Sequence, residues 1–267
     1  MIYWSGEYEA TAALSATDMR HARILWDNRL ADATFSSADE RDGFEAVSAR
    51  ATDTASWWWP EAGATLTMTL SAAAYIDCIG IAAHTLGSAG ATITAQVQVA
   101  GSWQTVYPSI TPADDEAVMI LFQEVLATAV RITLSASARI GVVYAGRALV
   151  MPQMVYGEAT PLNVTLATEY QTNQSQTGQF IGRSIVANSR PVSATWTHLR
   201  EAWVRDALLP FILAARRGPF FAALRPRTQP EDVGYIWTGS DIRPERMKLR
   251  DFMQVQISGT AHMGADV

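Results

Sequence analysis

The sequence is poor in the residues on which most catalytic and metal sites depend. It has one cysteine, Cys78, so it cannot form a disulfide within itself, and this residue is expected to pack as a small apolar side chain. Its four histidines show neither His-x-His nor His-Glu-x-x-His spacing. Gly-x-Gly-x-x-Gly, Walker A and Gly-x-Ser-x-Gly motifs are also missing. We therefore predict that the chain is not an enzyme, with no catalytic residues, no metal and no cofactor.

Charged residues are scarce as well, at 17% of the chain against a typical ~25%. Much of the surface must be polar, small or apolar, as in chains that bury surface against copies or partners. The net charge of -6 gives no general basic footprint for nucleic-acid recognition. The basic run from Arg216 to Arg250 is interpreted as a solvated or interface face rather than a phosphate site. No apolar run reaches the ~18 residues of a membrane-spanning helix, and the first residues lack the pattern of a signal peptide.

What the sequence does have is a series of short apolar segments between residues 57 and 150. Residues 64–70, 91–99 and 129–134 alternate apolar and polar side chains, which is typical of strands with one face on a core. Residues 75–83 are apolar almost throughout, as in a strand covered on both faces. Turn sequences rich in Gly, Ser, Pro and Asp separate most of these segments. This spacing predicts an antiparallel β-sandwich.

The most unusual local feature is the run Trp57-Trp58-Trp59. Neighbouring side chains on a strand point to opposite faces, so the three indoles cannot all share one surface. One hypothesis is an aromatic platform for a sugar ring or a protein interface. The other is that two of the rings are core and the third lies under a loop. His84, at the end of an apolar strand beside a glycine-containing loop, is added to the candidate ligand-binding residues, with an ordinary strand-end role as its alternative.

Met151-Pro152 ends the series, because proline removes a backbone donor and restricts the residue before it. We predict three parts. Residues 1–20 form an N-terminal arm that is assigned, by preference, to the C-terminal module. Residues 21–152 form a jelly-roll β-sandwich, and residues 153–267 form a second β-sandwich with one packed helix.

The single helix is predicted at about residues 195–216. Trp196, Leu199 and Trp203 fall on one helical face, and Pro210 predicts a kink or a stop. Strands are expected on both sides of it, at residues 162–170, 182–188, 220–224, 234–237 and 252–260. In the first module, Asp114, Asp115 and Glu116 are interpreted as a solvated acidic turn rather than a catalytic pair.

Residues 21–150 resemble the discoidin-like (galactose-binding-like) jelly rolls. The likeness lies in the strand Tyr75-Ile-Asp-Cys-Ile-Gly-Ile, the segment Trp103-Gln-Thr-Val, the strand Ala129-Val-Arg-Ile-Thr-Leu and the closing strand Ile140-Gly-Val-Val-Tyr-Ala-Gly. It is a pattern of apolar strands rather than a sharp motif. The resemblance implies a jelly roll whose loops at one end bind sugars, lipids or other surfaces.

Residues 155–267 resemble the fold shared by tail-tube and distal-tail proteins of long-tailed bacteriophages. The likeness lies in the segment from Gly182-Arg-Ser to Arg190-Pro, the Trp/Leu helix, the strand at Gly218-Pro-Phe-Phe and the late strand Arg250-Asp-Phe-Met-Gln-Val. It implies a β-sandwich with one helix that forms a ring of six or three copies around a tail channel. Likeness of fold alone does not give function.

Together the two resemblances imply a structural component of a phage tail tip or baseplate, of distal-tail type, made in the host cytoplasm and located in the virion. Its partners would be further copies, other tail and baseplate proteins, and a host-surface glycan bound by the jelly roll. The alternative from another class is a carbohydrate-binding module or accessory domain of a glycan-active system. A hydrolase with unpaired acids is the remaining hypothesis, and the sequence nominates no such pair.

Overall fold

The structure, a computed structural model, describes residues 1–5, 20–155, 159–162, 164–248 and 251–264. Within these residues the chain is mainly β, with two large sheets and one helical segment. The strands are β1 Ile2–Trp4, β2 Arg23–Leu25, β3 Thr34–Ser37, β4 Thr65–His84, β5 Ile93–Val99, β6 Ser102–Ile110, β7 Val118–Leu134, β8 Ile140–Gly146, β9 Leu149–Val150, β10 Ala167–Gln174, β11 Phe180–Arg200, β12 Phe220–Ala223, β13 Val233–Trp237, β14 Glu245–Arg246 and β15 Phe252–Ala261. A short 3₁₀ turn covers Ala46–Arg50, and helix α1 runs from Glu201 to Ala215.

The first sheet has the order β3-β4-β7-β5-β6, with β1 added to β7 and β8 added to β4. Its two long strands bend and take part in both layers of a sandwich. The first half of β4 pairs with the second half of β7, and after a register shift between Thr69 and Ala74 the second half of β4 pairs with the first half of β7. The predicted β-sandwich is confirmed, and its core lies between these two layers.

The strand boundaries differ from the prediction at the bends. Residues 64–70 and 75–83 were expected to be separate strands, and so were residues 118–122 and 129–134, but β4 and β7 each run through without a break. The linking residues of β4 are Ser71 and three alanines; they form no turn, and all but Ala74 are exposed. Small side chains let the strand bend through a bulge instead of ending.

The second sheet has the order β10-β11-β15-β13-β12-β2-β9, with β14 paired to β15. Helix α1 packs on one face of it, where Phe211 meets Phe220 edge to face with ring centroids 4.9 Å apart. Buried residues of α1, including Val204, Leu208 and Ile212, share one apolar cluster with β12, β13 and β15. The second sheet and its helix therefore form their own core.

The helix begins later than predicted. Residues 195–200 belong to β11, where Trp196 pairs opposite Val255 and is fully buried. Burial alternates with period two from Arg190 to Trp196, and a bulge at residues 197–198 then brings Leu199 to the buried face, so Trp196 and Leu199 also fit a helical spacing. A π-helical turn at Val204–Leu208 comes directly before Pro210, whose missing N–H cannot continue a regular helical ladder, so the expected irregularity lies there.

The two sheets are packed together through a third apolar cluster. It joins Cys78, Leu121 and Tyr144 on the outer face of the jelly roll to Phe221 and Tyr235 of the second sheet. The rings of Phe221 and Tyr235 lie 4.8 Å apart, and Tyr144 lies 5.4 Å from Phe221. Because this contact is fully buried and aromatic, the modules are fixed to each other rather than joined by a loose linker.

The strand pairing departs from the predicted domain limits at both ends of the jelly roll. Residues 23–25 and 149–150 lie inside the range predicted as 21–152, yet β2 and β9 pair with each other, and β2 also pairs with β12 of the second sheet. The chain thus leaves the second sheet, builds the jelly roll and returns. The N-terminal β1, assigned by preference to the C-terminal module, pairs in parallel with β7 of the first sheet. Residues 6–19 of the predicted arm lie outside the described residues.

Candidate functional site

Two of the four candidate ligand-binding residues meet at one end of the jelly roll. Trp58 forms a two-way backbone bridge with Ile140, and His84 pairs with the same residue at the end of β4. Both side chains are buried: Trp58 is 0% exposed and His84 is 2% exposed. They support the end of the sandwich from inside and present no surface to a ligand.

The surroundings of His84 fix its protonation state. One ring nitrogen, Nδ1, accepts a hydrogen bond from the backbone N–H of Leu86, and Nε2 lies 2.8 Å from the carbonyl oxygen of Glu116, to which it donates. Burial lowers the pKa of His84 to about 4, although Asp115 acts in the opposite direction. The ring is therefore neutral near pH 7, and both nitrogens are occupied by backbone groups.

Trp57 and Trp59 are partly exposed and lie at the same end. Arg139 stands over both rings, 5.4 Å from the centroid of Trp57 and 4.3 Å from that of Trp59. Arg41 lies 4.0 Å from the centroid of Trp59, and Phe44 meets the same ring edge to face. We call these five residues the tryptophan cluster. One ring, Trp58, lies in the core and two are partly exposed, so the hypothesis of two core rings with the third under a loop does not describe this arrangement.

The tryptophan cluster offers aromatic surface next to two guanidinium groups. Trp59 donates its indole N–H to the hydroxyl of Ser137 and is held by both arginines. Trp57 lies under Arg139, and its ring is partly exposed like that of Trp59. An aromatic ring beside an arginine can stack on the apolar face of a sugar and donate hydrogen bonds to its hydroxyls.

A second surface stands at the far edge of the second sheet. Strand β10 and residues 180–189 of β11 pair only with each other among the described residues, and we call this unit the hairpin. Its turn is closed by a hydrogen bond from the N–H of Ser175 to the carbonyl of Gln179, with Gly178 at a φ of 79°. From Arg190 onward β11 joins β15 and becomes part of the sheet.

The hairpin carries apolar side chains that face solvent. Most of its residues are exposed, and the strands have no covered face. The large apolar side chains and their exposed fractions are Tyr170 45%, Phe180 65%, Ile181 68%, Ile185 61% and Val186 59%. An isolated two-stranded hairpin is marginally stable in water, and contiguous exposed apolar surface marks an interaction site. The sequence predicted strands in this region. It did not predict that they extend beyond the rest of the sheet, because that depends on where β15 stops pairing with β11.

The acidic turn is not the solvated loop that the sequence indicated. Glu116 forms a bidentate ion pair with Arg190, with N–O distances of 2.6 and 2.8 Å. The side chains of Arg190 and Glu116 are only 6% and 18% exposed. Asp115 is also buried and accepts a hydrogen bond from the N–H of Ser88. The turn therefore ties the jelly roll to the base of the hairpin, a structural role that no local motif signals.

One further buried acid lies where the chain returns from the jelly roll. Asp77 accepts a hydrogen bond from the N–H of Ala148 at 2.8 Å. Burial raises the pKa of Asp77 to about 7, with Glu124 adding to the shift and Arg147 and Arg23 opposing it. The pKa of this group therefore reflects its burial.

Within the described ranges, no group of three or more His, Cys, Asp or Glu side chains is arranged to hold a metal ion. The same residues include no helix with the length and apolar character needed to cross a membrane.

Comparison with known proteins gives remote likenesses only. No protein-family model matches the chain, and no curated protein matches it. Among solved structures, chitosan-binding module 1 of the chitosanase/glucanase of Paenibacillus sp. IK-5 is 18% identical with a TM-score of 0.40, over 44% of this chain and 97% of the module. A pectin-binding carbohydrate-binding module is 13% identical with a TM-score of 0.38, over 42% of this chain and 88% of the module. CpGH89CBM32-5 of Clostridium perfringens, solved with GalNAc-β-1,3-galactose, is 11% identical with a TM-score of 0.40, over 46% and 99%. None of these is a phage tail or baseplate protein.

Proposed function

We propose that this chain is a non-enzymatic structural protein that works as a subunit of an assembly built from copies of itself. The observation that supports this function is the hairpin, which leaves the second sheet and exposes apolar side chains on an otherwise unsupported ribbon. A two-stranded ribbon in water gains too little from its own contacts to be well ordered. Contact with a neighbouring chain would supply the missing burial.

The size of the apolar surface agrees with this proposal. The five large side chains of the hairpin expose on the order of 500 Å², against the roughly 800 Å² that each partner contributes to a standard interface. Successive side chains of a strand point to opposite faces, so the pairs Phe180 with Ile181 and Ile185 with Val186 place apolar surface on both faces of the ribbon. The hairpin has few charges, with Glu169 on β10 and Arg183 placed over the ring of Tyr170 at 4.2 Å. Burying the hairpin against a neighbouring chain therefore removes few charged groups from water, so the desolvation cost is small.

The rigid junction between the modules suits a subunit that transmits a fixed geometry. The buried cluster around Phe221 and the ion pair of Glu116 with Arg190 hold the jelly roll against the second sheet and the hairpin base. A ring of six or three copies in the tail tip of a long-tailed phage is the form that the sequence resemblance implies. That location rests on the resemblance alone.

Light scattering of the purified protein over a range of concentrations tests the proposal. We expect a defined oligomer for the wild type and a monomer for the double variant Ile181→Ser, Ile185→Ser, because both side chains would lose their apolar contacts. The control is the double variant Val47→Ser, Leu126→Ser, which removes similarly exposed side chains from the jelly roll and is expected to leave the mass unchanged. A wild type that stays monomeric at every concentration contradicts the proposal.

A second candidate function is carbohydrate binding by the tryptophan cluster. The observation that favours it is the partly exposed ring of Trp57 beside Arg139 at the end of the jelly roll. An accessible indole provides a large rigid stacking surface, and a guanidinium provides directed donors for hydroxyl groups. This function needs no assembly, and it is compatible with the first.

A glycan array with the labelled protein tests this second function, followed by titration of the best glycan against intrinsic fluorescence. Trp57→Ala is expected to weaken binding about tenfold or more, equivalent to about 1.4 kcal/mol. Trp237→Ala is the matched control, because this indole is 40% exposed on the second sheet, away from the tryptophan cluster. Equal binding by the two variants, or no glycan bound by the wild type, removes this candidate.

A further inference from the structure

The outer face of one layer of the jelly roll is polar and open to solvent. This layer consists of β3, the first half of β4, the second half of β7, β5 and β6. Side chains of these strands that point inward, such as Met68, Val97 and Ile132, form the core. We call the outward-facing residues at the centre of the layer the open face. They are partly or fully exposed and comprise Ser36, Thr67, Gln96, Trp103, Thr105 and Arg131.

The strand registers place most of the open face in one row across the sheet. The order of paired residues along this row is Ser36, Thr67, Arg131, Gln96 and Thr105. Neighbouring strands are about 4.8 Å apart, so the row is roughly 19 Å long. A ligand that follows the row is therefore a chain of several units rather than a single small ring.

Arg131 stands at the centre of the row with its orientation fixed. Its Nε donates a hydrogen bond to Oε1 of Gln96 at 2.6 Å, and Nε2 of Gln96 donates to the hydroxyl of Thr105 at 3.0 Å. The guanidinium carbon of Arg131 lies 4.2 Å from the centroid of the Trp103 ring. A guanidinium held by a ring and a hydrogen bond loses little conformational freedom when a ligand binds.

No acidic side chain compensates the charge of Arg131. Among the described residues its contacts are Gln96 and Trp103, and neither carries a carboxylate. Arg147 and Arg190, by contrast, each pair with a glutamate. The residues that flank Arg131 in the row are serine, threonine and glutamine. The open face therefore carries one positioned positive charge among neutral hydrogen-bonding groups.

We propose that the open face binds a polyuronate, an acidic polysaccharide with a carboxylate on each sugar unit. The carboxylate of one unit would accept hydrogen bonds from the Nη atoms of Arg131, since guanidinium and carboxylate groups match in geometry as well as charge. The hydroxyl and amide groups of the row can donate to and accept from the hydroxyls of the neighbouring units. Attraction by the whole protein does not explain such binding, because a net charge of -6 repels a polyanion.

The open face is separate from the other two surfaces. The opposite layer of the sandwich packs on the second sheet through Cys78, Leu121 and Tyr144, so the open face points away from that junction. The tryptophan cluster lies beside Ile140, at the end of the jelly roll. Polyuronate binding at the open face depends on neither self-assembly nor the tryptophan cluster.

Native electrophoresis in gels that contain polygalacturonate tests this proposal. We expect the polymer to retard the wild type, and Arg131→Met to bind about tenfold more weakly or less, because a hydrogen-bonded charge is lost while the apolar contact with Trp103 remains. Arg205→Met is the matched control, since it removes the same charge from the surface of α1 and should bind like the wild type. Urea unfolding checks the fold of each variant. If Arg131→Met is unfolded, Arg131→Lys decides, with weaker binding expected because lysine lacks the bidentate geometry.

Two further polymers make the outcome specific. Methyl-esterified polygalacturonate lacks the carboxylates and polyglutamate lacks the sugar hydroxyls, so neither should retard the wild type as strongly as polygalacturonate does. Equal retardation by either polymer, or none by polygalacturonate, overturns the proposal. Equal binding by the Arg131 variant and Arg205→Met overturns it as well. Retardation that is lost in Trp57→Ala but kept in Arg131→Met assigns binding to the tryptophan cluster, so this proposal fails while carbohydrate binding stands.

Discussion

Gly80 lies directly against the ring of Phe221, so closely that a Cβ atom on the glycine would stand 2.8 Å from two of the ring atoms. Gly80 belongs to the outer face of the jelly roll and Phe221 to the second sheet. This close approach lets the aromatic cluster of Tyr144, Phe221 and Tyr235 fill the space between the modules. The absence of a side chain at one position therefore sets the distance between the two halves of the protein.

Replacing this glycine should separate the modules. Gly80→Ala is expected to lower the free energy of unfolding by about 1–3 kcal/mol, because overpacking forces the ring of Phe221 or the backbone to move. Gly239→Ala is the control, because a Cβ there meets nothing within 4 Å, and its effect should stay within about 0.5 kcal/mol. Urea unfolding followed by tryptophan fluorescence measures both. Equal stability of the two variants would contradict the close packing.

The ion pair of Glu116 with Arg190 should contribute much more than an exposed pair. Arg190→Met leaves a largely buried carboxylate without its partner and is expected to cost about 3 kcal/mol of unfolding free energy. Arg205→Met is the control, because Arg205 pairs with Glu201 on the surface of α1 and is 66% exposed, so its loss should cost much less than the loss of Arg190. Denaturant titration provides both values. A double variant with Glu116→Gln should recover part of the loss, and additive costs would contradict the coupling.

Asp77 should make the protein less stable as the pH rises from about 4 to about 7. Burial raises the pKa of Asp77 in the folded state to about 7, above its value of 3.8 in the unfolded chain. Its contribution is fully present below the unfolded pKa and is lost as the pH passes the folded pKa, at about 1.4 kcal/mol for each pKa unit. Asp77→Asn should remove this fall, whereas Asp32→Asn, at an exposed position, should retain it. Unfolding curves at several pH values compare the three proteins, and parallel curves contradict the prediction.

His84 should make the protein less stable as the pH falls from about 6.5 to about 4. Burial lowers its folded-state pKa to about 4, below the 6.5 of the unfolded chain. Its contribution to stability is therefore present above pH 6.5 and lost as the pH falls toward 4. His84→Gln should reduce the acid sensitivity of the free energy of unfolding, and His198→Gln, at an exposed bulge of β11, should not. An unchanged acid limb in His84→Gln would contradict a buried neutral ring.

Local pattern predicted much of the fold because the strands of this protein have clear alternation or continuous apolar sequence. Residues 93–99 and 252–260 alternate and are strands, and of the apolar residues 75–83 all but Tyr75 lie in a stretch of strand covered on both faces. The pattern of apolar residues gave a wrong prediction where the same spacing fits both a helix and a bulged strand. Trp196 and Leu199 fit a helical face, but pairing with β15 keeps them extended. Tertiary pairing, which sequence periodicity does not contain, decided that segment.

The candidate site was harder to predict from the sequence, because the solvent exposure of its side chains depends on residues far away in the chain. Trp58 lies in the core because it pairs with Ile140, which is distant in sequence. Arg139, 80 positions after Trp59, lies over the rings of Trp57 and Trp59. The hairpin shows the same limit. Its alternating residues predict strands, but only the end of β15 leaves residues 180–189 without a sheet. Exposed isoleucine within a predicted strand carries no local signal of its own.

The measurement that tests the central claim most directly is amide hydrogen exchange in the hairpin as a function of protein concentration. If the hairpin is an assembly element, the N–H groups of residues 180–189 should exchange quickly in dilute protein and become protected as concentration rises, while residues 190–200 of β11, held by β15, stay protected throughout. Exchange in residues 180–189 that is equally fast at every concentration would contradict assembly through the hairpin.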